Sequence, residues 1–236
     1  MTVLFGPGID IGPGIDIGGV SSATLMLSLD AGNVSSYPGS GSTWTDLVGG
    51  KTFTLNGSPT YSSSNGGYFN FTPNGWFQTV SSKYNVTYTG KTIFMSARLA
   101  SAMTVNTYRC MFGSNGSNRN FNLYFFNNNG NYTLHYSAAG QGGLSSSMSY
   151  TPGNWGTFAV THTTSGVLTY YYNGVQLGSQ QTGVTFSQYL YTDSENVGAS
   201  DNYWNGPIGV VGIWGSALTA AQILQCHNAV RFRYGL

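Results

Sequence analysis

Apolar and polar residues alternate along most of the chain in short runs, which are separated by turn-forming residues. The alternation is clearest over residues 121–125 (FNLYF) and 132–136 (YTLHY). Side chains two positions apart lie on the same face of a strand, so this pattern is typical of strands with unlike faces. It predicts strands over residues 24–29, 51–55, 68–71, 76–80, 92–99, 108–112, 121–126, 132–136, 157–163, 167–172 and 208–214.

Two local signals complete the predicted architecture. Asn173-Gly174 predicts a tight hairpin, because both residues tolerate the positive φ of a type I′ turn. Residues 219–222 (TAAQ) form a capping box before an apolar run that ends near Arg231 and Arg233, which predicts a short C-terminal helix. Many short strands with Gly, Asn and Ser turns indicate an all-β sandwich or barrel.

The first twenty residues differ from the rest because the hexapeptide Gly-Pro-Gly-Ile-Asp-Ile occurs twice, at residues 6–11 and 12–17. Proline and glycine oppose a helix, so these residues are predicted to form an extended arm, residues 1–20, before a domain over 21–236. Two units cannot bury their apolar side chains alone. We therefore expect the arm to dock on its own domain or on a neighbouring subunit, through Pro7, Ile9, Ile11, Pro13, Ile15 and Ile17.

The composition excludes several partners and favours a neutral surface. Charged residues make up only 6% of the chain, aromatic residues 15%, and the net charge is +1. This argues against intrinsic disorder and against binding to nucleic acid or to an anionic membrane. Residues 120–192 contain no Lys, Arg, Asp or Glu. Neutral polar groups beside aromatic rings suit sugars, and the same composition suits subunit contacts.

The chain offers few groups for catalysis, and we expect no enzymatic activity. A glycosidase needs two facing carboxylates, and the single glutamate, Glu195, has Asp193 two residues before it, among polar residues that predict a loop. Neither an H-E-x-x-H nor a G-x-S-x-G motif occurs. The widely spaced Cys110 and Cys226 are either buried free thiols or one disulfide.

Two aromatic segments are candidates for sugar binding, with core packing as the alternative role of their tryptophans. One is the polar turn before the last predicted strand, with Asp201, Asn202, Tyr203 and Trp204, and the other is Trp76, which follows a Pro-Asn-Gly turn. Asp30 with Asn33, and Asp201 with Asn202, could each offer oxygen ligands to calcium, but such a site needs six or more. No cofactor is therefore expected, with calcium as the alternative.

Three stretches resemble the laminin-G-like, concanavalin A-like lectin/glucanase domains of bacteriophage virion proteins. They are 29–33 (LDAGN) with 37–47 (YPGSGSTWTDL) and 61–67, then 155–162 (WGTFAVTH) with 168–175 (LTYYYNGV), and 198–206 with 213–223 (IWGSALTAAQI). The resemblance runs from about residue 22 to the C-terminus. It implies a jelly-roll sandwich of two antiparallel sheets. The acidic pattern E-x-D-x-x-E of the glucanase branch is absent from the sequence, which argues against hydrolysis.

The resemblance also implies a function and a location. The leading hypothesis is a structural protein on the surface of a bacteriophage virion, as a capsid decoration or a tail or neck fibre component. The arm would bind other virion proteins or sister subunits in a homo-oligomer, and the lectin-like domain would face outward toward host glycans. The alternatives are a secreted carbohydrate-binding module and, third, a glycoside hydrolase.

Overall fold

A computed structural model describes residues 25–79, 90–115, 122–137, 144–185, 194–198 and 202–236. The arm predicted over residues 1–20 lies outside these ranges. In chain order the elements are β1 (Leu25–Asp30), β2 (Thr43–Thr45), β3 (Thr52–Asn56), β4 (Thr60–Ser62), β5 (Tyr68–Phe71), β6 (Trp76–Thr79), β7 (Gly90–Arg98), β8 (Tyr108–Asn115), β9 (Asn122–Asn128), β10 (Asn131–Ser137), β11 (Leu144–Ser147), β12 (Trp155–Thr163), β13 (Leu168–Tyr172), β14 (Val175–Gln181), β15 (Ser194–Val197), β16 (Gly206–Trp214) and α1 (Ala220–Tyr234).

The strands form two antiparallel sheets that pack face to face. The first sheet has the order β14-β13-β12-β7-β16-β5-β4, and β1 also pairs with β16. The order in the second sheet is β11-β10-β9-β8-β15-β6-β3-β2. The predicted antiparallel sandwich is confirmed.

The main core lies between the inner faces of the two sheets. Alternate residues of each strand point inward, so Leu123, Phe125 and Leu134 of the second sheet are buried with Phe158 and Val211 of the first. Aromatic rings meet edge to face across the core, with the Phe125 and Phe158 centroids 4.7 Å apart. Burying each side chain of this size contributes about 1.5–3 kcal/mol. The period-2 pattern of the sequence is thus the pattern of this core.

The C-terminal helix covers the outer face of the first sheet. Thr219 accepts a hydrogen bond from the backbone N–H of Gln222, which completes the predicted capping box, and Gly235 ends the helix in the left-handed conformation. Ile223, Cys226 and Val230 pack on this side of the sheet in a second apolar cluster. The helix contacts β7, β12 and β14, which all belong to the first sheet.

The predicted hairpin is confirmed, and one predicted loop is wrong. Asn173 and Gly174 have φ values of 50° and 77°, and Tyr172 pairs with Val175 on the other side of the turn. Residues 194–197, taken as a loop because of their polar neighbours, form β15 between β6 and β8. Pairing on both sides outweighs the weak local preference of this segment.

The two cysteines are both buried free thiols, one in β8 and one in the helix. Burial raises the pKa of the Cys226 thiol to about 12. Within the described ranges, no helix has both the length and the apolar character needed to span a membrane.

Candidate functional site

The second sheet brings together two of the residues singled out in the sequence. Trp76 opens β6 directly after a turn closed by the hydrogen bond from the Gly75 N–H to the Thr72 carbonyl. Its ring centroid lies 5.6 Å from that of Tyr203, with the planes tilted by 44°. Both side chains are half-buried. Two residues far apart in the sequence therefore form one aromatic surface.

The neighbouring strand β8 fixes the position of Tyr203. Tyr203 forms an isolated parallel bridge with Cys110, whose backbone N–H donates to the carbonyl of Asn202 at 2.7 Å. The next residue, Trp204, is 0% exposed, and its ring lies 5.2 Å from Phe125 in the core. In this extended segment, Tyr203 therefore faces the outer side of the sheet and Trp204 faces the core.

These positions divide the sequence candidates. Trp204 is a core residue, since its side chain has no exposed surface. A ring without exposed surface cannot stack on a sugar, so the binding role predicted for Trp204 is corrected. Trp76 and Tyr203 form a half-buried pair on the outer face, and Asn202, also half-buried, precedes Tyr203 in the chain. Asp201 lies outside the described residues.

Two amide side chains lie on the same outer face as Trp76. Phe77 and Val197 point into the core, so Gln78 and Asn196, which are direct partners across β6 and β15, point the other way. The Trp76 indole N–H donates to Gln78 Oε1 at 3.4 Å. Asn196 is only 2% exposed, and its Oδ1 is without a hydrogen-bond partner in the part of the chain that the structure describes. Sequence reasoning missed both residues.

The next position of this face is a glycine, over which neighbouring side chains pack closely. Gly113 of β8 is the partner of Asn196. A Cβ atom there would lie 2.7 Å from Oδ1 of Asn122 and 3.0 Å from the sulfur of Cys110, too close for any other residue without rearrangement. Asn122 in turn donates its side-chain N–H to the Tyr124 hydroxyl at 2.6 Å.

A second aromatic group continues the outer face across β8, β9 and β10. Tyr108 and Phe126 are stacked with centroids 4.3 Å apart. His135 lies edge-on to Tyr108 at 5.0 Å and at 6.1 Å from Tyr124. Burial lowers the pKa of His135 to about 4, so the imidazole is neutral at pH 7. The alternation of residues in β9 and β10 predicted these two strands. The same alternation places Tyr124, Phe126 and His135 on the face opposite to the core.

We call this surface the aromatic–amide face. Its side chains, all on the second sheet or in the segment that contacts β8, carry no formal charge at pH 7; they are Trp76, Gln78, Tyr108, Asn122, Tyr124, Phe126, His135, Asn196 and Tyr203. Together they offer aromatic rings and neutral hydrogen-bonding groups.

The buried aspartates of the described residues hold the fold together. Arg233 donates to both carboxylate oxygens of Asp30, at 2.8 and 2.7 Å, and the Gly32 N–H adds a third bond at 2.8 Å. The side chain of Asn33 accepts from the Ser35 N–H at 2.8 Å instead. The oxygens of Asp30 and Asn33 that the sequence offered as calcium ligands thus accept hydrogen bonds within the protein.

The second buried aspartate, Asp46, is engaged in the same way. Its carboxylate accepts from the backbone N–H groups of Ser28, Val48 and Gly49 at 2.8, 3.0 and 2.9 Å. No group of three or more His, Cys, Asp or Glu that could hold a metal occurs among the described residues. Asp193, Asp201 and the side chain of Glu195 lie outside the description.

Comparison with protein families identifies the domain. The model of the concanavalin A-like lectin/glucanases superfamily matches residues 87–224. The chain belongs to this superfamily. The resemblance read from the sequence motifs is thus confirmed at the level of the fold and the superfamily. No curated protein matches the chain.

Several solved structures are similar to the chain. One is the binding domain of botulinum neurotoxin DC in complex with rat synaptotagmin II (TM-score 0.67, 14% identity, 88% of this chain and 52% of that chain). A second is a structure of botulinum neurotoxin type C, whose cell entry depends on interaction with two ganglioside molecules (TM-score 0.65, 15% identity, 88% of this chain and 51% of that chain). A third is the receptor binding domain of botulinum neurotoxin type G (0.61, 13%, 87% and 51%). The chain spans about half the length of these proteins, and at such identities the likeness concerns the fold.

Proposed function

We propose that this protein is a non-enzymatic binding protein that holds a neutral glycan on the aromatic–amide face. The observation that carries the proposal is the half-buried Trp76–Tyr203 ring pair with the half-buried amide of Gln78 beside it. A sugar ring has apolar C–H patches that stack on aromatic rings and hydroxyls that donate to amide oxygens.

The groups of this face favour a ligand with hydroxyls and apolar C–H patches. Gln78 is half-buried, and its side-chain amide beside the Trp76 ring can exchange hydrogen bonds with ligand hydroxyls. The two rings, whose planes are tilted by 44°, would add apolar contact with the C–H patches of a sugar. The side chains named for this face carry no formal charge at pH 7, which favours a neutral sugar over an acidic one.

The test is glycan binding by wild-type protein and by Trp76→Ala. We expect the glycan array to give a ligand for the wild-type protein. In calorimetry, its dissociation constant should be at least about tenfold higher for Trp76→Ala, because the contacts of the indole ring with the sugar are lost. Phe232→Ala is the matched control, because Phe232 is an aromatic residue 75% exposed on the helix. No binding to any glycan, or equal loss in both variants, would refute the assignment.

The described acidic residues support binding without hydrolysis. Asp30 and Asp46 are both engaged by hydrogen bonds inside the fold, and neither is exposed. A glycoside hydrolase is the competing activity, and the remaining acids of the domain are Asp193, Glu195 and Asp201. Hydrolysis of a bound glycan that disappears in Glu195→Gln or Asp201→Asn would favour this alternative.

We further propose that the protein is a structural component of a bacteriophage virion surface, as a capsid decoration or a tail or neck fibre component. The support is the resemblance of the sequence motifs and the repeated, Ile-rich segment over residues 6–17. We expect deletion of residues 2–19 to abolish incorporation into particles while glycan binding is retained. Normal incorporation of the truncated protein would exclude anchoring by the arm. If the full-length protein bound glycan but joined no particle, the alternative of a secreted carbohydrate-binding module would be favoured.

A further inference from the structure

The outer face of the first sheet contains an arginine without an anionic partner. Arg98 ends β7 and is half-buried. Among the described residues it has no hydrogen bond or ion pair, and its Nε lies fully buried without an acceptor. The described aspartates, Asp30 and Asp46, are engaged elsewhere in the fold. A guanidinium in this position has strong donors and no acceptor for them.

A second donor without an acceptor lies directly beside Arg98. Trp155 is the partner of Arg98 across β7 and β12, so the two side chains lie on one face of the sheet. The guanidinium carbon of Arg98 lies 5.7 Å from the centre of the Trp155 ring. Trp155 is 7% exposed, and its indole N–H also has no partner within the described residues. A buried donor left unpaired destabilises the protein, so the two donors favour a ligand with acceptor oxygens.

The surroundings hold the indole in place and leave one aromatic ring accessible. Tyr234 stacks on Trp155 with centroids 4.2 Å apart, which fixes the indole from the helix side. Tyr68 of β5 meets the same indole edge to face at 5.5 Å and is half-buried. The nearby hydroxyl of Tyr150 is bonded to the Leu99 N–H and the Asn154 carbonyl. Burial raises the pKa of Tyr150, so it stays neutral and does not compensate the charge of Arg98.

The adjacent helix end does not supply the missing anion. The negative end of a helix dipole is stabilised by cations in the last turn, and α1 carries Arg231 and Arg233 there. The Arg231 carbonyl also accepts from the Gly235 and Leu236 N–H groups. The positive charge of Arg98 is therefore available to a ligand.

We propose that Arg98 and Trp155 form a second binding site, specific for a carboxylate-bearing sugar such as a uronic or sialic acid. The guanidinium pairs with the carboxylate, a geometry that arginine makes bidentate. The indole N–H of Trp155 donates to a further ligand oxygen, and the ring of Tyr68 receives the apolar side of the sugar. This site lies on the first sheet and is independent of the aromatic–amide face.

The experiment is a titration followed through the indole N–H resonances of 15N-labelled, full-length protein. The probe is glucuronate, with glucose as the neutral control and acetate as the carboxylate without a ring. The Trp155 resonance is identified by its disappearance in Trp155→Phe, which keeps the stacking ring. We expect glucuronate to shift this resonance and to bind at least about tenfold more tightly than glucose or acetate.

Variants of Arg98 and Trp76 decide between the possible outcomes. We expect Arg98→Gln to weaken glucuronate binding by about tenfold or more, and Arg98→Lys to restore it only in part, because lysine lacks the planar fork. Trp76→Ala should leave glucuronate binding unchanged, so failure of either site is recognised separately. The proposal would be overturned if glucuronate and glucose bound equally well, or if glucuronate bound equally well to Arg98→Gln and to the wild type. If acetate bound as tightly as glucuronate, the assignment of a sugar ligand would be overturned. Thermal unfolding of each variant checks that the fold is retained.

Discussion

At the scale of single residues, the segment LDAGN serves the fold. Asp30 forms a two-pronged ion pair with Arg233 from the end of the helix. The backbone approach around Gly32 is so close that a Cβ atom there would lie 1.7 Å from the Gly66 carbonyl oxygen. The Arg233 guanidinium also donates to that carbonyl. The aspartate and the glycine of this segment are thus explained by one junction between β1, the turn over residues 64–67 and the helix.

The Asp30–Arg233 junction leads to a stability prediction. We expect Arg233→Met to lower the free energy of unfolding by about 3–5 kcal/mol, because it leaves the Asp30 carboxylate buried without its partner. The matched control is Arg231→Met in the same helical turn, since Arg231 has no ion pair among the described residues and contacts the exposed Phe232 ring. We expect this change to cost less than about 1 kcal/mol. Urea unfolding measures both, and equal losses would show that the ion pair contributes nothing specific.

At the scale of elements, the sequence predicted the strands that are defined by their own alternation and the turns that are defined by special residues. β5 was predicted with its observed bounds, and Asn173-Gly174 and the capping box at Thr219 each fixed one connection. Short edge strands such as β2 and β4 have only three residues and too little pattern to be recognised. β15 was missed because its strand state depends on neighbours on both sides, which are remote in the sequence.

The candidate site was predictable only in part for the same reason. Trp76 and Tyr203 were each identified from an aromatic residue near a polar turn, but their contact depends on the placement of β6 and β8 on either side of β15. Period 2 determines that Tyr203 and Trp204 face opposite ways, but it does not say which of them faces the core. Asn196 has no local signal, because an asparagine between Glu195 and Val197 becomes notable only when its carbonyl oxygen is buried without a partner.

At the scale of the whole molecule, the low charge is accompanied by three histidines whose pKa values are all lowered in the fold. Burial lowers the pKa of His135 to about 4, and it also lowers the pKa values of His162 and His227. Lys91 adds to the effect at His162, and Arg231 adds to it at His227. All three imidazoles lie in different elements, so their protonation opposes the fold at several places at once.

We expect this set of histidines to make stability depend on pH in one direction. The folded protein binds protons less readily than the unfolded chain, whose histidines titrate near pH 6.5, so the stabilisation is complete above that pH and decreases as the pH falls toward 4. His135→Gln removes one such group, and its free energy of unfolding should therefore decrease less between pH 7.5 and pH 5 than that of the wild type. Urea unfolding at pH 7.5, 6 and 5 measures the difference, and comparison at each pH cancels the carboxylates that both proteins share. Parallel pH profiles for the two proteins would contradict the prediction and would mean that His135 is solvated in solution.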